Sequence, residues 1–323
     1  MMSSRCMSFG EGKMALVSPR LRELFSGSPV LLSMNATRVA PIERPWARLS
    51  IRRVACALLI VGASVTCYLL LWGRLLPYSP IALGFGRKEL DHVIVYNQVG
   101  NRFTDHDVES LIADVEAAHG LKFQQKPKVF FFADRDSYTR RTTTKARLCA
   151  YPPVPPGFNG AIVVSPWAQE EDLDGKIELK IYLTHELSHA LLFQHMTVFS
   201  LLRFPRWLLE GMATYSANQM GTSLYPGKAE TLTMIKEGNW LPPDLYETSA
   251  EDQIPLRVKY RKTFMYSEFA CIVDDLVRKF GQTTYLQYMK ELLSATDHDA
   301  VFKTFFGVEF SDYLVRFRAT SGS

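Results

Sequence analysis

The stretch of this chain best equipped for chemistry is His185-Glu186-Leu187-Ser188-His189, an H-E-x-x-H pattern. It lies in a run from Ile177 to Met196 that contains neither Pro nor Gly and reads as a helix. Residues four apart share one helix face, so His185 and His189 point together. Two imidazoles at that spacing can hold one zinc ion. Glu186 then stands beside the open coordination position, where a general base is needed. Five residues alone can arise by accident, so the context decides.

A catalytic zinc site needs a third protein ligand. The candidate is Glu210, in Trp207-Leu208-Leu209-Glu210-Gly211-Met212-Ala213-Thr214-Tyr215. It sits on an otherwise apolar helical stretch, and a buried carboxylate there needs a partner. A metal supplies one; a surface position, or an ion pair with Arg206, is the alternative. The turn around Arg203, Pro205 and Arg206 is long enough to bring this second helix back over the first. The five cysteines form no C-x-x-C, which argues against a cysteine-based zinc site or redox motif. His92, His106, His119, His195 and His298 share no ligand spacing and read as surface or satisfied core residues.

HELSHALLF followed by WLLEGMATY resembles the gluzincin metallopeptidases, the group of thermolysin-like and aminopeptidase-N-like enzymes, and within it the peptidase MA-like branch. The resemblance covers roughly residues 160–281. It implies His185, His189 and Glu210 as zinc ligands and Glu186 as general base. It also implies Tyr266, opening a helix that ends at Gly281, as the donor to the oxyanion, with Tyr260 as a nearby rival. Two departures stand out. Thr214 occupies the place of an acidic residue that orients a ligand in the thermolysin-like enzymes, and can do so only by a neutral hydrogen bond. The strand before the zinc helix, Gly160-Ala161-Ile162-Val163-Val164, lacks the acidic motif with which the aminopeptidases grip a free amine. Gly160, Ala161 and Ile162 are expected instead to offer a backbone edge to an extended peptide.

These residues need a scaffold, and the chain offers an α/β pattern to supply one. Strands are expected at Asp91–Tyr96, Lys128–Ala133 and Gly160–Ser165. Thr104 and Asp107 open a helix that runs to about His119, before Gly120. A short helical piece covers Asp136–Thr142. Leu148–Asn159, with four prolines, reads as an extended loop, and Glu170–Asp174 as an acidic loop. After the zinc helix come helices at about Arg206–Gln219, Lys228–Lys236, Thr263–Phe280, Thr284–Leu293 and Asp297–Arg318, the last broken at Gly307. The expected fold is α+β: a small mixed β-sheet with the zinc-binding helix, followed by a mostly helical half.

Ahead of this domain lies Val54–Trp72, 19 residues without a charge, long enough to cross a bilayer as a helix. The run is longer than a signal-peptide core, and no A-x-A site follows. Residues 1–53 read as a disordered basic tail, with Met34 an alternative start and 73–90 as a linker. That tail carries nine Arg or Lys against three Glu, so of the net charge of +4 the remainder of the chain contributes −2. A nucleic-acid-binding face on the folded part is therefore not favoured, since that needs a clustered basic surface. Arg38, Arg44, Arg48, Arg52 and Arg53 before the span, against Arg74, Arg87 and Lys88 after it, put the N-terminus in the cytoplasm and residues 75–323, with the peptidase domain at 91–323, outside. There, Cys149 and Cys271 would form a disulfide or remain two buried thiols.

The sequence thus points to a single-pass, membrane-anchored zinc peptidase acting on peptide or protein substrates outside the cytoplasm. The alternative is an exported metal-binding or scaffolding module that keeps the fold and cleaves nothing. An intramembrane protease is disfavoured, because polar residues precede the zinc helix and no second long apolar run exists.

Overall fold

The computed structural model describes residues 45–99, 108–153 and 160–320. Thr104, Asp107 and His106 fall outside these ranges, as does the tail up to residue 44. The architecture is α+β, with one five-stranded sheet and a predominance of helix. Helix α1, Pro45–Leu71, begins before the expected boundary, so residues 45–53 are helical rather than disordered. Its stretch Ile51–Leu71 is long and apolar enough to cross a membrane, and none of it is buried against the rest of the chain. A soluble core helix would be covered, and this one is not.

The sheet is formed by β1 Phe85–Glu89, β2 Ile94–Gln98, β3 Lys128–Phe131, β4 Leu148–Ala150 and β5 Ala161–Val164, in the order β1-β2-β3-β5-β4. The inner pairs β2–β3 and β3–β5 are parallel; both edge strands run antiparallel. Inner strands of such a sheet are covered on both faces and read as continuous apolar runs. In β3 and β5, Val129, Phe131, Ile162 and Val164 face the main core, and Phe130, Ala161 and Val163 face a second, smaller one.

Both edge strands lie where the sequence reads irregular chain. The segment 73–90 is no passive linker: Leu76 is wholly buried in the second core and Phe85–Glu89 is a strand. The proline-rich stretch starts with β4, because Leu148, Cys149 and Ala150 are buried before the prolines begin. The acidic stretch is helical, in α4 Pro166–Leu173. Ser165 caps it by accepting from the Ala168 N–H, and Pro166 holds its first position. Asp172 accepts from the Leu179 N–H and so opens the next helix.

The remaining helices are α2 Val108–His119, α3 Arg135–Arg141, α5 Leu179–Gln194, α6 Val198–Arg203, α7 Arg206–Ser216, α8 Lys228–Lys236, α9 Arg261–Phe280, α10 Gln282–Leu292, α11 His298–Phe306 and α12 Phe310–Thr320. The main core lies between the sheet and α2, α5, α7 and α9. Helices α7 and α9 cross closely at Gly211, where a Cβ would stand 2.9 Å from the Phe269 backbone. Glycine at that position permits the crossing and thereby sets where Glu210 lies.

Candidate metal centre

Three helices converge on one cleft of about 290 Å³. Helix α5 brings His185, Glu186 and His189, α7 brings Glu210, and α9 brings Tyr266. The Nε2 atoms of His185 and His189 are 3.0 Å apart. Glu210 Oε2 stands 3.3 Å from the first and 3.5 Å from the second. Both imidazoles are buried. Burial alone would raise the Glu210 pKa, but the facing rings of His189 and His185 outweigh it and hold the carboxylate well below its usual range. His189 mirrors this: burial lowers its pKa, and the Glu210 charge reverses the direction.

Nitrogen and oxygen lone pairs turned toward one point, away from water, fit a cation. Glu210 Oε2 is buried without a well-formed hydrogen bond, so this anion lacks the donors a buried carboxylate normally gathers. Two imidazole nitrogens and one carboxylate oxygen are the donor set that zinc takes in hydrolytic sites. Among the described residues, His185, His189 and Glu210 form the group that could hold a metal ion.

His185 is fixed on its far side. Gln219 Oε1 lies 2.8 Å from His185 Nδ1, which as the protonated nitrogen leaves Nε2 free to ligate. Helix α7 ends in a Schellman motif: the Asn218 N–H donates to Tyr215 O and the Gln219 N–H to Thr214 O. Asn218 takes the left-handed conformation this requires, at φ 50°, and the turn directs Gln219 to His185. Thr214, expected to orient a ligand, has a buried hydroxyl with no hydrogen-bond partner among the described residues. Sequence reasoning missed Gln219, and the one local signal was an Asn at the end of an apolar helix.

The Tyr266 ring stacks on His185, with centroids 6.0 Å apart and planes at 13°. Tyr246 donates to the Tyr266 hydroxyl over 3.3 Å, which leaves the Tyr266 proton for another acceptor. Burial, reinforced by the Glu210 charge, keeps the Tyr266 phenol protonated far above its ordinary pKa. Its rival Tyr260 is exposed, with Lys259 over its ring, and does not line the cleft. Glu247 also lines the cleft, 3.9 Å from Arg206, on a backbone strained to φ 59°. No pattern in the sequence marks Tyr246 or Glu247.

The expected peptide edge lies elsewhere. Strand β5 is paired on both sides, by β3 and β4, so Ala161 and Ile162 present no open edge, and Gly160 packs against the Tyr151 carbonyl. The edge strand beside the cleft is β4, whose Leu148 and Ala150 line it. Ala150 turns its N–H away from β5 and donates to Glu186 Oε2 at 2.6 Å. Cys271 carries a free thiol near Met220, so it is not bridged to Cys149. His119 is a satisfied core residue, held by Val115 O and Ser188 Oγ.

M1 zinc metallopeptidases are among the solved structures to which the chain bears a distant likeness. One is a variant of a two-domain M1 zinc metallopeptidase bound to L-tryptophan, at 16% identity and a TM-score of 0.38, covering 72% of this chain and 50% of that one. Another is the M1 zinc metallopeptidase from Deinococcus radiodurans, at 15% identity and a TM-score of 0.37, covering 73% and 49%. The likeness is distant, and the chain spans about half the length of these proteins. No family model matches the sequence, and no curated protein matches it.

Proposed function

We propose that this chain is a membrane-anchored, zinc-dependent peptidase of the gluzincin type, with the domain that follows α1 outside the cytoplasm. The observation that carries the reading is the convergence of His185 Nε2, His189 Nε2 and a Glu210 oxygen beside Glu186 and Tyr266 in one cleft. His185, His189 and Glu210 would hold zinc, which when bound lowers the pKa of its water and polarises a carbonyl. Glu186 takes the proton of the attacking water. Oε1, the oxygen that Ala150 does not touch, is the atom placed to carry it to the leaving amine. Tyr266 donates its retained proton to the developing oxyanion, with Tyr246 steadying the phenol from behind. An extended peptide lies along β4, whose outward edge faces the cleft. Anchoring is supported by the apolar, uncovered stretch Ile51–Leu71.

The rival reading, a metal-binding module without activity, is separated by Glu186→Gln. On the peptidase reading this variant retains metal and loses hydrolysis of a broad peptide library. Equal activity in the variant and the parent would sink the assignment of Glu186. Metal without hydrolysis in the parent chain would favour the rival.

A further inference from the structure

A single side chain joins the end of α1 to the turn at Leu83. Arg141, in α3, donates through one Nη2 atom to Leu71 O and to Leu83 O, each at 2.9 Å. Two such bonds to one atom put those carbonyl oxygens at most 5.8 Å apart. The turn around Leu83 is therefore drawn up beside the end of the apolar helix. The same guanidinium lies over the Phe85 ring at 5.1 Å. Arg141 is itself buried. Leu76 and Pro77 are buried, and Ala82 and Phe85 turn inward against the second core. This region packs as part of the domain.

Three large apolar side chains of the segment do the opposite. Trp72 is 53% exposed, Ile81 57% and Leu83 38%. Ile81 and Leu83 alternate outward on either side of Ala82, and Trp72 stacks on Tyr68 of the last turns of α1. Packing within the chain leaves all three exposed, and all three belong to the segment that leaves the apolar helix. At the end of a membrane span such side chains are matched: aromatic rings settle at headgroup level, and apolar tips enter the boundary of the hydrocarbon.

We propose that Trp72, Ile81 and Leu83 form a collar that sits in the interfacial layer of the bilayer, so that the domain rests on the membrane in a fixed orientation. The proposal rests on reading α1 as a span. It bears on the cleft, because the Tyr78 ring stands edge-on to Tyr151 at 5.8 Å, and Tyr151 directly follows β4. Tyr78 is seven residues past Leu71, at most about 25 Å of extended chain. The wall of the cleft is thus braced by the juxtamembrane turn, and the peptides it meets are those displayed close to the membrane surface.

The test uses the full chain in phospholipid nanodiscs. A nitroxide is attached in place of Leu83, and separately of Ile81, through a ketone-bearing non-natural residue that leaves the native cysteines untouched. Reference labels replace Val61, mid-span, and Val315, exposed on α12. Relaxation by oxygen and by a water-soluble nickel chelate reads depth. The collar predicts an oxygen-to-nickel ratio at 83 and 81 several-fold above that at 315 and below that at 61. Ratios at both 81 and 83 equal to that at 315, with 61 reading deep, would overturn the collar and leave the span intact. A label at 61 that reads as aqueous as 315 would overturn the span and the collar with it. Circular dichroism matching the parent chain confirms that each labelled protein is folded.

Discussion

Gln219 offers the sharpest quantitative test of the proposed metal centre. Its Oε1 is 2.8 Å from His185 Nδ1, and the side chain is 1% exposed. Gln219→Leu removes the acceptor at nearly constant volume and leaves a buried N–H unpaired, which costs about 1–3 kcal/mol. The imidazole can recover that cost by rotating toward another partner, and the rotation withdraws Nε2 from Glu210. Loss of such an outer partner typically weakens metal binding about 10–100-fold, or roughly 1.4–2.8 kcal/mol at 1.4 kcal/mol per decade. The two estimates agree, so the expected outcome is a fall in zinc affinity of one to two decades. Competition against a chromophoric chelator measures it. Thermal melting of the metal-free protein shows whether the fold has suffered. Gln219→Glu keeps an acceptor in place and should restore affinity to the parent level or above it. Affinity of the Leu variant within about a factor of two of the parent, with a folded metal-free state, would refute the claim that Gln219 fixes His185.

Other outcomes follow from single contacts. Tyr266→Phe should lower kcat about 10²–10³-fold with little change in KM, since the phenol acts on charge that develops only in the transition state; steady-state kinetics on a fluorogenic peptide reads the split. Leu76→Ala should destabilise the domain by about 2–5 kcal/mol, as a core truncation does, whereas a residue in a passive linker would cost nothing on chemical denaturation. Burial lowers the His119 pKa from 6.5 to about 4. The unfolded chain therefore binds a proton in that window that the folded chain refuses. The stability this contributes is complete above pH 6.5 and lost as pH falls toward 4, with about 2 kcal/mol gone by pH 5. His119→Gln, neutral throughout, should lose that part of the pH slope when denaturation is compared at pH 7 and pH 5.

The residues legible in the sequence are those whose geometry is local. His185 and His189 share a face because the helical period sets it, and Glu210 is marked by a charge within an apolar helix. The inner strands β3 and β5 are legible because burial on both faces leaves an unbroken apolar run. What stays hidden depends on sheet order and on distant contacts. Whether β5 is an edge is decided by β4, three buried residues at the start of a proline-rich stretch. The expectation that Gly160, Ala161 and Ile162 face a peptide failed for that reason alone. Gln219 reaches His185 across 34 positions, and Tyr246 reaches Tyr266 across 20; neither has a periodicity that would reveal it. The segment 73–90 looks like a linker because its prolines and glycines are turn signals, yet Leu76 and Phe85 are among the side chains that close the outer face of the sheet.

Gly211 shows how the two kinds of information meet. Beside Glu210 it looks like a weak point in a helix, since glycine costs about 1 kcal/mol there relative to alanine. In the fold it is the place where α7 and α9 touch backbone to backbone, with no room for a Cβ. Helix α9 carries Tyr266, and α7 carries Glu210 and, through its C-terminal turn, Gln219. The closeness of that crossing therefore sets the spacing between the proposed ligand Glu210, the side chain of Gln219 that holds His185, and the phenol that stacks on His185. A methyl group at 211 would push on Phe269 and change those distances together. The helical cost of one glycine is offset by a site whose parts come from three helices and still meet within a few ångströms.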